Sequence, residues 1–217
     1  MESTAAGAPT DGATADDATH PQASLEEVLS DEIIRMYREV AENPDAEHHF
    51  FHGRRAAEMF GYSPEALDRA PPGAVASFAG VGNPHLRAAI AEGETVLDLG
   101  SGAGLDGILA GWASGVSGRV IGVDVNPTMC LKAQTHAEAG GTRLECRQGR
   151  MEDIPVADET ADVLISNGVI NLSFRKRRVM EEMFRVLKPG GRISITDIVS
   201  AKQLSQSIVN DPKLWAS

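Results

Sequence analysis

The 217-residue chain is poor in cysteine. It has only Cys130 and Cys146, too few for a disulfide framework or a zinc cluster. It has no apolar run near the roughly 20 residues that a membrane-spanning helix needs. The N-terminus lacks the basic start and apolar core of a secretory signal. Basic residues are the minority, 20 Lys and Arg against 31 Asp and Glu, which leaves a formal net charge of −11. A field of that sign repels polyanions and argues against unspecific binding to nucleic acid or anionic membrane. The one dense basic run, Arg175-Lys176-Arg177-Arg178, reads as a solvated helix face just after a loop. What remains is a cytoplasmic protein of 42% apolar and 24% charged residues, the balance of one globular domain behind a tail.

Three stretches differ in character. Residues 1–23 are rich in Ala, Thr, Gly and Asp, cannot bury enough surface to offset their ordering entropy, and are expected to be disordered. Residues 24–92 read as an N-terminal helical cap or lid. Ser24-Leu25-Glu26-Glu27 reads as a capping box, and Leu25, Val28, Leu29, Ile33, Met36, Tyr37 and Val40 recur at helical spacing, for one helix or two broken near Ser30-Asp31 that run to about Glu42 before Asn43-Pro44. Short helices are expected over Arg54–Phe60, from Ser63-Pro64-Glu65, and over His85–Ala91. Pro71-Pro72-Gly73 reads as a break, and Phe78–Pro84 as a glycine-rich loop.

Residues 93–217 are regular. The short apolar run Thr95–Leu99 reads as a buried strand, and further strands are expected at Arg119–Val123, Leu144–Arg147, Ala161–Ser166 and Arg192–Val199. They alternate with helices at Leu105–Ser114, Pro127–Ala139 and Phe174–Leu187. That alternation predicts an α/β fold, a parallel sheet covered on both faces.

The chemistry concentrates at the C-terminal ends of those strands. Asp98-Leu99-Gly100-Ser101-Gly102-Ala103-Gly104 joins the first strand to the next helix, where glycines admit a ligand to the backbone and free amides face an electron-rich group. Asp124 ends the second strand, where a doubly wound fold places an acid against ribose hydroxyls. That spacing also suits a nicotinamide dinucleotide, but D-x-G-x-G-x-G is not the G-x-G-x-x-G that clears space for a pyrophosphate. Arg150-Met151-Glu152-Asp153 is placed to flank an adenine, and Asn167 closes the fourth strand over the same crevice. Met151 also fits ordinary core, Asp153 a solvated loop acid, and Asp197 either an active-site group or a hydrogen-bonded turn acid. No catalytic residue is assigned.

Four motifs in combination resemble class I (Rossmann-like) S-adenosylmethionine-dependent methyltransferases, and more narrowly the arsenite methyltransferase group. They are D-L-G-S-G-A-G at 98–104, G-V-D at 122–124, I-S-N-G-V-I-N-L at 165–172 and F-R-V-L-K-P-G-G-R at 184–192. The resemblance runs from about Phe78 to Trp215. It implies S-adenosyl-L-methionine as cofactor, with Gly100, Ser101, Gly102 and Gly104 along its methionine part and Asp98 holding the amino group directly or through water. It further implies Asp124 on the ribose, Val125 on the adenine, and Met151 and Glu152 at the adenine face and amino group. Asn167 would offer a backbone carbonyl near the methionine, and Val169 would shape the methyl-transfer cavity.

Two departures follow. The arsenite group usually holds its soft metalloid through three cysteines: one before the glycine loop, one directly after the fourth-strand Ser-Asn, and one farther on. Here residues 1–94 contain no cysteine, position 168 is Gly, and the chain stops at Ser217. Cys130 and Cys146 read as buried small hydrophobes. Class I members also add two strands after the fifth, whereas eighteen residues follow Val199, with Leu204–Trp215 suited to one short helix. The expected sheet therefore lacks its last two strands and has an open edge that invites self-association or a partner. The His48, His49 and His52 cluster reads as part of a lid over the acceptor site rather than a metal centre; no metal is expected.

The expectation is a small-molecule methyltransferase, with arsenite the best single named acceptor. Two alternatives stay open: a methyltransferase for a carbon, oxygen or nitrogen nucleophile of a metabolite, and a non-catalytic module that binds cofactor or partner.

Overall fold

The computed structural model describes residues 52–202 together with Glu32 and Arg35. The expected tail, the helical stretch from Ser24 to Glu42 apart from Glu32 and Arg35, His48, His49 and the helix at Leu204–Trp215 lie outside the described residues.

Four short helices come first: α1 (Gly53–Met59), α2 (Pro64–Arg69), α3 (Pro72–Ala76) and α4 (His85–Ala88). Ser63 caps α2, its hydroxyl accepting from the Ala66 amide at 3.1 Å. The expected break at Pro71-Pro72-Gly73 is corrected: Pro72 opens α3, since a proline at the first helical position loses no hydrogen bond. Helix α4 stops three residues before the expected end because Ala89 turns into the left-handed region, φ 45°. That turn presents the Ala88 and Ala89 carbonyls to the Arg192 guanidinium.

The sheet follows: β1 (Thr95–Leu99), α5 (Leu105–Ser114), β2 (Arg119–Asp124), α6 (Pro127–Ala139), β3 (Leu144–Gln148), β4 (Ala161–Asn167), a 3-10 turn (Ile170–Leu172), α7 (Lys176–Val186) and β5 (Leu187–Thr196). All pairs are parallel, in the order β3-β2-β1-β4-β5. Three ends depart from the sequence reading. Helix α7 starts at Lys176, because the Ser173 hydroxyl accepts the Arg175 amide and turns the chain before it. Strand β5 begins early, with Leu187 against Ala161, and resumes at Arg192 against Val163 after a register shift. It ends at Thr196, where the Asp197 carboxylate accepts from the Ile170 and Asn171 amides instead.

Each face of the sheet is covered. On one face Val96, Val120, Val163 and Ile165 pack with Leu105 and Ile108 of α5, Ala133 and Ala137 of α6, and Ala56, Tyr62, Leu67 and Phe78 of the N-terminal segment. On the other, Leu97, Leu99, Ile121 and Leu164 pack with Val179, Met183 and Val186 of α7. Residues 53–88 thus share a core with the sheet. Arg69 on α2 also stacks over the Trp112 ring of α5, 3.9 Å from its centroid. Among the described residues no helix is long and apolar enough to cross a membrane.

Candidate functional site

The C-terminal ends of β1, β2 and β4 open onto one cavity, at the place where the strand order reverses around β1. Gly100, Ser101, Gly102, Gly104, Asp124, Val125, Met151, Glu152, Asn167 and Val169 line it. Of the residues expected from the sequence, Asp98 alone is not on its wall; it lies buried beneath the glycine loop.

The loop is held by backbone and side chain. The Gly100 and Ser101 amides both donate to the Val123 carbonyl, at 2.8 and 3.0 Å, tying β1's exit to β2. The Ser101 hydroxyl donates to Asp98 at 2.8 Å, and the Gly102 amide to Asp124 at 2.9 Å. Gly104 has φ 92°, and a Cβ there would stand 2.9 Å from the Ala133 Cα, so only glycine lets α5 start this close to α6. Asp124 also accepts from the Asn126 amide, and the Asn126 side chain caps α6 through the Thr128 amide.

A second layer of polar groups supports this one. Asp106, in the first turn of α5, accepts from the Tyr62 hydroxyl at 2.5 Å and the Asn167 side-chain amide at 3.0 Å, with His85 Nε2 at 3.1 Å. Asn167 does far more than close its strand. Its Oδ1 accepts from the Val81 and Gly82 amides and the Thr196 hydroxyl, and its Nδ2 also donates to Tyr62 and the Gly82 carbonyl. One side chain therefore pins the Phe78–Pro84 loop to the sheet, and that loop forms the cavity wall at Phe78, Ala79 and Gly80. The sequence reading missed Tyr62, His85 and Asp106. The acid two residues past the glycine loop was the available sign; its partners come from segments with no periodic pattern.

The electrostatics are one-sided. Burial, then the neighbouring Asp106 carboxylate, push Asp98 up to about 7. Burial raises Asp124 as well, against the two amides that favour its ionised form. Burial and Asp106 push the Tyr62 phenol far up, so it remains a neutral donor. Asp98 and Asp124, both costly to ionise alone, stand with the Asp106 carboxylate around one loop and suit a ligand carrying positive charge.

The remaining candidates sort clearly. Glu152 accepts from the Ser173 hydroxyl at 2.5 Å. Met151 both packs on the core and lines the cavity, so the two readings of it coincide. Asp153 is exposed. Asp197 is the hydrogen-bonded acid that caps the turn after β4. At position 168, where the arsenite group carries a cysteine, Gly168 has φ 75° and the Val81 side chain lies 3.2 Å from where a Cβ would stand. His52 precedes α1, away from the cavity wall.

The methyltransferase-domain family profile matches residues 90–217. The chain is 44% identical over 157 residues to an arsenite methyltransferase of Halobacterium salinarum, covering 72% of this chain and 40% of that protein. A ubiquinone/menaquinone biosynthesis C-methyltransferase of Salmonella arizonae is 34% identical over 111 residues, 50% of this chain and 44% of that one. Among solved structures, an arsenic(III) S-adenosylmethionine methyltransferase from Chlamydomonas reinhardtii aligns with TM-score 0.58 and 35% identity, covering 74% of this chain and 53% of that one. The chain thus spans about half or less of the length of these three proteins. With a parallel sheet, a glycine loop at its reversal point and a profile match over more than half its length, the chain belongs to the methyltransferase-domain family.

Proposed function

We propose that this chain forms the donor-binding part of an S-adenosylmethionine-dependent methyltransferase for a small molecule, with arsenite the best named acceptor. The observation that carries the reading is the glycine-cradled cavity lined by Asp106 and Asp124, with Asp98 buried beneath its loop. That charge fits the donor's sulfonium and ammonium. When bound, the donor supplies an electrophilic methyl group on sulfur. Gly100 to Gly104 then line its methionine part and Asp98 attracts the ammonium, while Asp124 accepts the ribose hydroxyls. Val125, Met151 and Glu152 bracket the adenine, and the Asn167 carbonyl and Val169 shape the space around the reacting centre. Because the transfer is an in-line displacement, the chain's work is to orient and to exclude water. Phe78, Leu172 and Phe174 supply an apolar wall for that purpose. Residues 24–92 act in this reading as the cap and 93–217 as the methyltransferase domain. A cytoplasmic setting is supported by two cysteines that are both free.

A second reading, methyl transfer to a carbon, oxygen or nitrogen nucleophile of a metabolite, has its own support. The described cavity wall contains no thiol, Gly168 stands where the arsenite group has one, and the Salmonella relative is named a C-methyltransferase.

Calorimetry with S-adenosylmethionine on the full chain, beside Asp124→Ala, tests the cofactor. Micromolar binding lost in the variant supports the reading, and no binding by folded protein overturns it. Incubation with arsenite and a thiol then separates the acceptors, since methylated arsenicals favour the first reading and their absence beside a methylated metabolite favours the second. Tight donor binding with no turnover on any acceptor leaves a binding module.

A further inference from the structure

The proposed donor carries a sulfonium, an ammonium and a carboxylate, and acids on the cavity wall suit only the first two. Asp106 and Asp124 leave the anion without a partner. Arg150 is the one basic side chain on the described wall. It is 57% exposed, lies 3.6 Å from Glu152, and follows β3, which β2 separates from β1 and the glycine loop. The methionine end of the donor therefore needs a different anion ligand.

Ser77 stands apart from the other polar side chains of the wall. Ser101 donates to Asp98 and Ser173 to Glu152, and Asn167 is filled by the bonds described above. The Ser77 hydroxyl is on the wall of the same cavity and has no hydrogen-bond partner among the described residues, although the residue is only 7% exposed. Ser77 closes α3, one turn past Gly73 and on the same face as Ala74 of the wall. Helix α3 in turn leans on the glycine loop. A Cβ on Gly73 would stand 2.6 Å from His136 Nε2, and His136 Nδ1 lies 2.9 Å from the Ala103 carbonyl.

On the loop side, the ten-residue α5 starts behind Gly104 with no side chain capping its first amides. The Asp106 carboxylate of that turn is engaged by Tyr62, Asn167 and His85. An uncapped helix start draws an anion, and a buried hydroxyl without a partner gains free energy when a ligand brings an acceptor. We infer that the Ser77 hydroxyl and the first amides of α5 form the subsite for the donor's carboxylate. The inference rests on the donor reading above and deepens it, because the N-terminal segment then holds the methionine end directly. Ser77 donates, the carboxylate accepts, and no proton is transferred. Since the hydroxyl gains its partner only from the ligand, donor affinity depends on it and the stability of the empty chain does not.

Calorimetry on the full chain and on Ser77→Ala, with three ligands, tests the subsite. S-adenosylmethionine and S-adenosylhomocysteine both keep the carboxylate, and each should bind the variant about tenfold or more weakly, the loss of one hydrogen bond to a charged group. Decarboxylated S-adenosylmethionine should bind the two chains within about twofold of each other. Without ligand, the variant should unfold at the wild-type temperature. A similar loss with all three ligands, a loss that S-adenosylhomocysteine does not share, or a lowered midpoint of the empty variant overturns the inference. Tight donor binding that is indifferent to Ser77→Ala sinks this subsite alone. A folded wild type that binds none of the three takes the donor reading down with it.

Discussion

Asp98 lies beneath the cavity wall and reaches it through the Ser101 hydroxyl, so in the proposed reading its charge bears on what the cavity attracts. Its carboxyl is raised above the ordinary value to about 7, so between those limits the folded chain binds a proton that the unfolded chain has lost. Stability contributed by this group therefore falls as pH rises through that window. Glu182, Glu94 and Asp162, held low by Arg185, Arg192 and Lys188, act in the opposite sense. The comparison that isolates Asp98 is with Asp98→Asn. Wild type should lose thermal stability relative to the variant between about pH 4 and pH 7. Its affinity for S-adenosylmethionine should climb about tenfold per pH unit toward 7 and then level, and Asp98→Asn should flatten that slope. Two glycines of the loop should separate fold from binding. Gly104→Ala drives a Cβ against the α6 backbone and should cost about 1–3 kcal/mol in denaturant unfolding. Gly102, at φ 51°, has nothing within 4 Å of its missing Cβ, so Gly102→Ala should cost only about 1 kcal/mol. It should nonetheless weaken donor binding by at least about tenfold, because that Cβ enters the cavity. Asp98, the glycines and Asp124 were legible because they sit at strand ends whose apolar runs mark themselves. Tyr62, His85 and Asp106 were not, because three segments meet only through folding.

Between elements, Asn167 joins β4, β5, α5 and the loop before α4. Replacing it with alanine leaves the Val81 and Gly82 amides and part of Asp106 without partners, and should cost about 2–3 kcal/mol. Hydrogen exchange at those two amides should accelerate more than at β1. Asn167→Asp should be worse than alanine above neutral pH, since it sets a second carboxylate at 3.0 Å from Asp106. The gap should narrow as pH falls. The parallel strands and the helices between them were readable to within a few residues from periodicity. The ends that moved did so for reasons periodicity does not carry: a left-handed Ala89, a Ser173 turn, and a shift of register in β5. Asn167 was placed correctly but given a lesser part, because a strand-end asparagine does not announce six hydrogen bonds.

At the scale of the molecule, β5 is one of the two outer strands of the described sheet, and its Ile193 and the Phe184 of α7 are exposed, at 51% and 83%. An apolar edge of that kind favours association. Sedimentation should show concentration-dependent assembly that Ile193→Lys with Phe184→Lys abolishes, and assembly unchanged by both would place the contact elsewhere. The strand order has a further effect on how the molecule comes into being. β1 is first in sequence and central in space, and one of its two neighbours, β4, begins at Ala161. The helices before β1 share a core with Val163 and Ile165, and the Asn167 side chain reaches its Thr196 partner only when β5 is in place. Pairings this distant along the chain are slow to form. During synthesis a nascent chain could assemble β1, β2 and β3 early, yet the full hydrogen-bond set around Asn167 would wait for Thr196 to leave the ribosome, so the cavity wall is among the last parts to mature.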